Sequence, residues 1–216
     1  MSTITYDVQH EETRNRMTVA FRIILAIPHL VVSQVWGRLA QVLGVVQWVI
    51  VLFTGKRNEG IWNMQRAWLD YDARVSGYIG LMYDPYPAFG TDPGTSPART
   101  AFSFEEPADR LTNALRIIWA IPALVITAVV SIGSAVVVLI SWFAIVITGK
   151  QSRGMWDFVL KVQRFVLQTE SYVLLMTDTY PKVGEGAMAD SASSTPPPPP
   201  PPPPVTSFIP PPPPAT

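Results

Sequence analysis

Three groups of residues in this chain have types and spacings that could do chemistry. His29 stands in an apolar stretch beside Pro28, where a titratable ring could pass a proton. Gln34, Arg38 and Gln41 recur at helical spacing on one face, and a polar stripe within a membrane segment is a functional hypothesis by default. Asp84 and Asp178 stand in matching contexts, Asp84-Pro85-Tyr86-Pro87 and Asp178-Thr179-Tyr180-Pro181. Each group also has a plainer reading. Ala123 replaces the histidine at the matching place later in the chain. A turn near Arg38 would put its charge among lipid headgroups. An aspartate before a proline-containing turn commonly ends a helix.

Other chemistry is poorly provided for. Gly55-Lys56 is no phosphate loop, because Ile50 stands where the first glycine belongs and Arg57 where a Ser or Thr belongs. His10 and His29 are the only histidines and differ too much in context to share a metal. There is no cysteine, which excludes disulfides and thiol catalysis. No nucleophile–base pair is apparent. The expectation is therefore no catalytic residue, no metal, no cofactor and no enzyme. A net charge of +0 carries no nucleic-acid signature.

The elements that would position these residues come in duplicate. Trp48 to Lys56 reads WVIVLFTGK and Trp142 to Lys150 reads WFAIVITGK. With residue n laid over n+94, 28 of the 80 pairs between positions 11 and 90 are identical, without a gap. Two copies of one unit, 1–94 and 95–188, are followed by a tail, 189–216. A long period present twice argues for duplication rather than a solenoid.

Each unit holds an apolar run of 31 residues, Ile23 to Phe53 and Ile117 to Ile147, the first interrupted by Arg38 and the second without any charge. Runs of about 18 or more are membrane-helix candidates. At about 1.5 Å per residue such a run spans roughly 46 Å, against a hydrocarbon core of about 30 Å. Basic residues flank both ends: Arg14, Arg16 and Arg22 before the first run, Lys56 and Arg57 after it, with Arg110, Arg116, Lys150 and Arg153 around the second. A hairpin keeps both flanks on the cytoplasmic side, as the positive-inside rule prefers. The spacing therefore predicts two passes per run, turning at Trp36-Gly37-Arg38 and at Ser131-Ile132-Gly133-Ser134. A half-buried hairpin and one long tilted helix are the alternatives. Ser33, Gly37, Ala40 and Gly44 would let helices approach closely.

After each Thr-Gly-Lys, apolar residues spaced 3 and 4 apart mark a second helix: Ile61, Met64, Trp68, Tyr71, Val75, Tyr78 and Met82 in the first unit. Arg66, Asp70 and Arg74 on its other face suit an exposed ladder. The pattern predicts an amphipathic helix lying at the membrane interface. Ile4, Tyr6 and Val8, and Phe102 and Phe104, suggest short strands. The fold class expected is an all-α membrane protein of two tandem repeats. The tail, with Pro196 to Pro204 and Pro210 to Pro214, cannot form a core and suits polyproline II or disorder.

The motifs together resemble the bacterial membrane family catalogued as domain of unknown function 4389. They are Ala26-Ile27-Pro28-His29, Thr54-Gly55-Lys56, Arg74-Val75-Ser76-Gly77-Tyr78 and Asp84-Pro85-Tyr86-Pro87, matched by Ala120-Ile121-Pro122, Thr148-Gly149-Lys150 and Asp178-Thr179-Tyr180-Pro181. The resemblance implies a membrane location and no particular reaction. The functional expectation is a non-enzymatic scaffold in the bacterial plasma membrane, multi-pass, with both termini cytoplasmic. Its partners would be the lipid bilayer and a protein that reads the polyproline tail. A small transporter or channel subunit is the alternative.

Overall fold

The structure, a computed structural model, describes residues 4–11 and 13–182. The tail 189–216 and the start of its polar stretch at Gly184 lie outside the described residues. Element order is β1 (Thr5–Asp7), α1 (Arg16–Thr54), α2 (Glu59–Ile79), β2 (Arg99–Ala101), α3 (Arg110–Thr148) and α4 (Arg153–Val173). Four helices thus form the described residues, with one short ribbon.

Each long apolar run is a single helix of 39 residues, without the internal turn expected at Trp36-Gly37-Arg38 or Ser131–Ser134. Gly37 does a different job from turning the chain. A Cβ there would come within 2.9 Å of the Trp68 ring, so the missing side chain admits an indole against the helix. Four of the nine basic residues that argued for a hairpin are engaged inside the protein: Arg14, Arg22, Arg57 and Arg116 are buried, while Arg16, Lys56, Arg110, Lys150 and Arg153 are exposed. Both runs end where their sequence says. Gly55 and Gly149 are left-handed, with φ of 71° and 76°, and their N–H groups cap Val51 and Ile145. Asn15 and Asp109 cap the N-termini through side-chain oxygens.

α2 returns antiparallel along α1. Its Asn58 N–H meets the Gln47 side chain, its Gln65 amide meets Ala40 O, its Trp68 indole donates to Ser33 O at 3.1 Å, and Tyr78 O accepts from Arg22. It is not the free interfacial helix expected, because α1 and the ribbon cover both of its faces. Arg74, placed by periodicity on an exposed ladder, is buried and donates to Gly90 O and Asp92 O. α2 closes with Leu81 at φ 58° and Met82 N–H bonded to Gly77 O; α4 closes identically with Leu175 at φ 63° and Met176 N–H to Ser171 O. A buried leucine thus takes the left-handed place usually given to glycine.

The two units are related by a pseudo-two-fold axis, and α3 runs antiparallel to α1. Trp48 donates to Asn113 O, and its image Trp142 donates to Val19 O. Trp62 donates to Met176 O, and Trp156 to Met82 O. The ribbon lies on the axis, since Tyr6 pairs antiparallel with Thr100, the residue 94 further on. The second strand precedes the expected Phe102 and Phe104.

Burial on the long helices is inverted. Facing inward on α1 are Arg22, Ala26, His29, Ser33, Gly37, Ala40, Gly44 and Gln47, with Val19 and Val51 near its ends; facing inward on α3 are Asn113, Arg116, Ala120, Ala123, Ser134 and Ser141, with Ile145 near its end. The large apolar side chains face out: Ile23, Ile27, Val31, Val35, Leu39, Val42 and Val46 on α1, Ile117, Ile121, Val125, Val129, Ile132, Val136, Ile140 and Phe143 on α3. Both helices are long and apolar enough to cross a membrane.

Candidate functional site

Asp84 and Asp178 are anchors. Arg22 Nη2 meets Asp84 at 2.8 Å, while its Nη1 donates to Tyr78 O at 3.0 Å and its guanidinium lies 4.4 Å over the Tyr78 ring. Arg116 repeats this with Asp178, Tyr172 O and the Tyr172 ring. The chain after α2 or α4 is thereby tied to the start of its own long helix, and Asp84 and Asp178 also accept from the N–H of the capping residues Asn15 and Asp109. At Asp178 a second guanidinium, Arg57, arrives from the other unit at 2.5 Å. Burial pulls the Arg116 guanidinium below its usual value, and Asp178 opposes that pull. These sites hold the fold.

His29 is fully buried, with Nδ1 2.7 Å from the Tyr71 hydroxyl and its ring stacked on Phe89 at 4.0 Å. Tyr86 adds a third ring at 4.7 Å and donates to Leu25 O. His29 therefore fastens the loop after α2 onto α1. Ala123, Phe165 and Val183 stand at the matching places of His29, Tyr71 and Phe89 in the second unit, so this cluster belongs to the first unit alone. Gln34, Arg38 and Gln41 are exposed on α1, and Arg38 donates to Gln41 at 3.3 Å. Apart from this Arg38–Gln41 contact, the structure does not bring the three expected groups together into one site. Among the described residues no His, Cys, Asp and Glu cluster could hold a metal.

What periodicity missed lies at the centre. Asp72 of α2 and Glu170 of α4 line one small space of about 10 Å³, with Tyr6, Ser76 and Gln163 around it. Ser33 and Ser76 donate to Asp72. Burial raises the Asp72 carboxyl, and the two serine bonds partly offset the rise. Burial, then the neighbouring Asp72 charge, push Glu170 up to about 8. The pair breaks the pseudo-symmetry, because Val166 and Ser76 stand at the matching positions. The legible signal was Glu170 itself, an acid with Val166 and Leu174 at its own i−4 and i+4 positions and no basic partner there.

A second asymmetry adjoins it. Where Trp68 fills the space against Gly37, the matching Val162 faces Ser131 and leaves a cavity of about 480 Å³. Ile23, Ala26 and Leu30 of α1 wall it on one side and Val138, Leu139 and Trp142 of α3 on the other; Ser76 and Gln163 lie in its floor.

No curated protein and no solved structure matches the chain. The model of one family, a domain of unknown function termed DUF4389, matches residues 16–90 and again residues 110–183. Both matches begin at the arginine that opens a long helix and run past the Asp-x-Tyr-Pro that closes the unit, so the chain belongs to the DUF4389 family and carries its domain twice in tandem.

Proposed function

We propose that the chain is a membrane-resident, non-enzymatic scaffold. The observation that carries this reading is the inverted burial of α1 and α3, with small and polar side chains inward and large apolar ones outward. In water such a surface would be an aggregation hazard, since monomeric soluble proteins rarely expose contiguous apolar patches beyond a few hundred Å². In lipid it costs nothing, and small inward residues are what close helix packing there requires. The scaffold would present α2, α4 and the ribbon to partners and hold the polyproline tail near the membrane. Membrane vesicles washed with alkaline carbonate test the residence: the chain should stay with the lipid. Val125→Arg together with Ile132→Arg, on the outward face of α3, should shift it toward the soluble or aggregated fraction. A wild-type chain stripped by carbonate refutes the reading.

One observation favours the transporter alternative: polar groups gather between the units, at Asp72, Glu170, Ser76 and Gln163. Proteoliposomes loaded with a pH-sensitive dye would show a proton leak that Glu170→Gln abolishes. Without a leak, the pair is structural.

A further inference from the structure

The two long helices fit a bilayer poorly in one respect. At about 1.5 Å per residue, 39 residues make a rod of roughly 58 Å, nearly twice the hydrocarbon thickness of about 30 Å. A spanning placement would need a steep tilt or long protrusions.

The charges add a second difficulty. The ribbon does not sit at an end of the bundle. Tyr6 of β1 donates to Ala73 O, and Thr100 of β2 donates to Asp70, both near the middle of α2. The middle of α2 in turn packs on the middle of α1, through Trp68 to Ser33 and Gly37 and through Ser33 to Asp72. On α2 the residues that touch α1 (65, 68 and 72) lie opposite those that meet the ribbon (70, 73 and 77). The ribbon is therefore level with the centre of the long helices and on the far side from their apolar surface. Around it the face is charged and exposed: Asp7 and Arg99 on the strands, Arg66 on α2, Lys161 on α4. If α1 and α3 spanned, all four charges would stand at mid-bilayer, where ionised groups are most expensive. Arg38 would stand there too.

We propose that the chain lies flat in one leaflet, with α1 and α3 parallel to the membrane plane, their apolar surface in the acyl chains and the ribbon in water. The partner of this surface is a lipid monolayer. The proposal rests on membrane residence and adds its geometry. The pseudo-two-fold axis then runs along the membrane normal, so both units sit at the same depth. Lys56 and Lys150, at opposite ends of the bundle, reach headgroups on the same side. One charge remains on the lipid side. Arg38 stands about 100° round α1 from Gly37, away from α2. Its partner there is Gln41. Flat placement leaves that one charge in lipid; spanning leaves five.

The chain has no cysteine, so single cysteines are clean reporters. Three exposed sites divide the alternatives: Ser152→Cys at one end of the bundle, Glu59→Cys at the other, and Ala101→Cys in the ribbon. Ser152 makes no side-chain cap bond, so its loss is mild. Right-side-out and inverted vesicles are treated with a membrane-impermeant maleimide, with Ile132→Cys on the apolar face as the shielded control. Flat placement expects all three sites to label fully from one side, none from the other, and position 132 from neither. Ends that label from opposite sides, or a ribbon site protected from both, overturn it. Loss of the chain from the vesicles on carbonate washing would instead refute membrane residence, so the two failures read differently.

Discussion

Asp178→Asn tests whether the arginine anchors hold this fold. The carboxylate neutralises two guanidinium groups at 2.5 Å, Arg57 and Arg116, whose side chains are only 1% and 4% exposed. Removing one partner of a buried ion pair costs about 3–5 kcal/mol, because a charge is left uncompensated. Two considerations lower the figure. Asp178 itself is 30% exposed, and both arginines keep backbone carbonyl partners. One consideration raises it: two cations now face each other. We expect about 3 kcal/mol. Asp84→Asn is the internal control. Its carboxylate meets one guanidinium directly, Arg22, while Arg14 acts on it at longer range and pairs with Glu11 at 3.6 Å. About half the loss is expected there, roughly 1.5 kcal/mol. The protein supplies the rescue as well, since Gln151 stands where Arg57 does in the other unit. Arg57→Gln should recover part of the loss in the Asp178→Asn background. The assay is denaturant unfolding in mild detergent, followed by tryptophan fluorescence. The reasoning fails if Asp178→Asn costs no more than Asp84→Asn, or if Arg57→Gln adds to the damage.

Three further outcomes follow from other parts of the molecule. Glu170 has a folded value near 8 against an ordinary 4.5, so the folded state holds a proton that the unfolded chain has released between those limits. Glu170's contribution to stability should be full below about pH 4.5, fall as pH rises toward 8 and level off beyond, and Glu170→Gln should flatten that fall in a pH series of unfolding curves. Trp68→Ala should cost about 3–5 kcal/mol in the same unfolding assay, since it empties the space over Gly37 and frees Ser33 O, whereas Val162→Trp has a cavity to enter and should cost far less. Deleting 189–216 should leave the melting temperature in detergent unchanged, because a segment with so little apolar surface cannot contribute a core.

The duplicated unit, the helix ends and the inward line of small residues on α1 were all legible in the sequence. Each is a local signal: identity at a fixed offset, a glycine after Thr54 or Thr148, a 3-and-4 spacing of Ser33, Gly37, Ala40 and Gly44. The hairpin turns were misread because glycine has two uses. At Gly37 the structure uses it for close approach, and only the position of Trp68, 31 residues away, tells the difference. The basic flanks misled for a related reason. Arg22 and Arg57 carry no mark in the sequence that they bind Asp84 and Asp178 rather than headgroups, since those partners come from distant chain. Arg74 was assigned to water by its period, and is covered by a loop whose path no period describes. The Asp72–Glu170 pair spans the two units, so neither unit alone suggests it. The cavity beside Val162 lies where the other unit places Trp68, a difference that only the alignment of the two units brings out.

The ribbon has a consequence for a chain that holds the domain once. Tyr6 pairs with its own image, Trp62 and Trp156 exchange bonds with Met176 and Met82, and Trp48 and Trp142 do the same with Asn113 and Val19. Such reciprocity is an isologous interface, the kind that joins identical subunits in a homodimer. Residues 1–94 expressed alone would present that interface unfilled, with an unpaired strand and indoles whose carbonyl acceptors belong to the missing half. A second copy supplies most of the same acceptors, because they are backbone carbonyls that do not depend on side-chain identity. The half-chain should therefore assemble in pairs, and cross-linking through cysteine at position 6 of each copy would trap them. Joining two copies in one chain frees each half to differ: one half carries His29 and Trp68, and the other carries Glu170 and an open cavity.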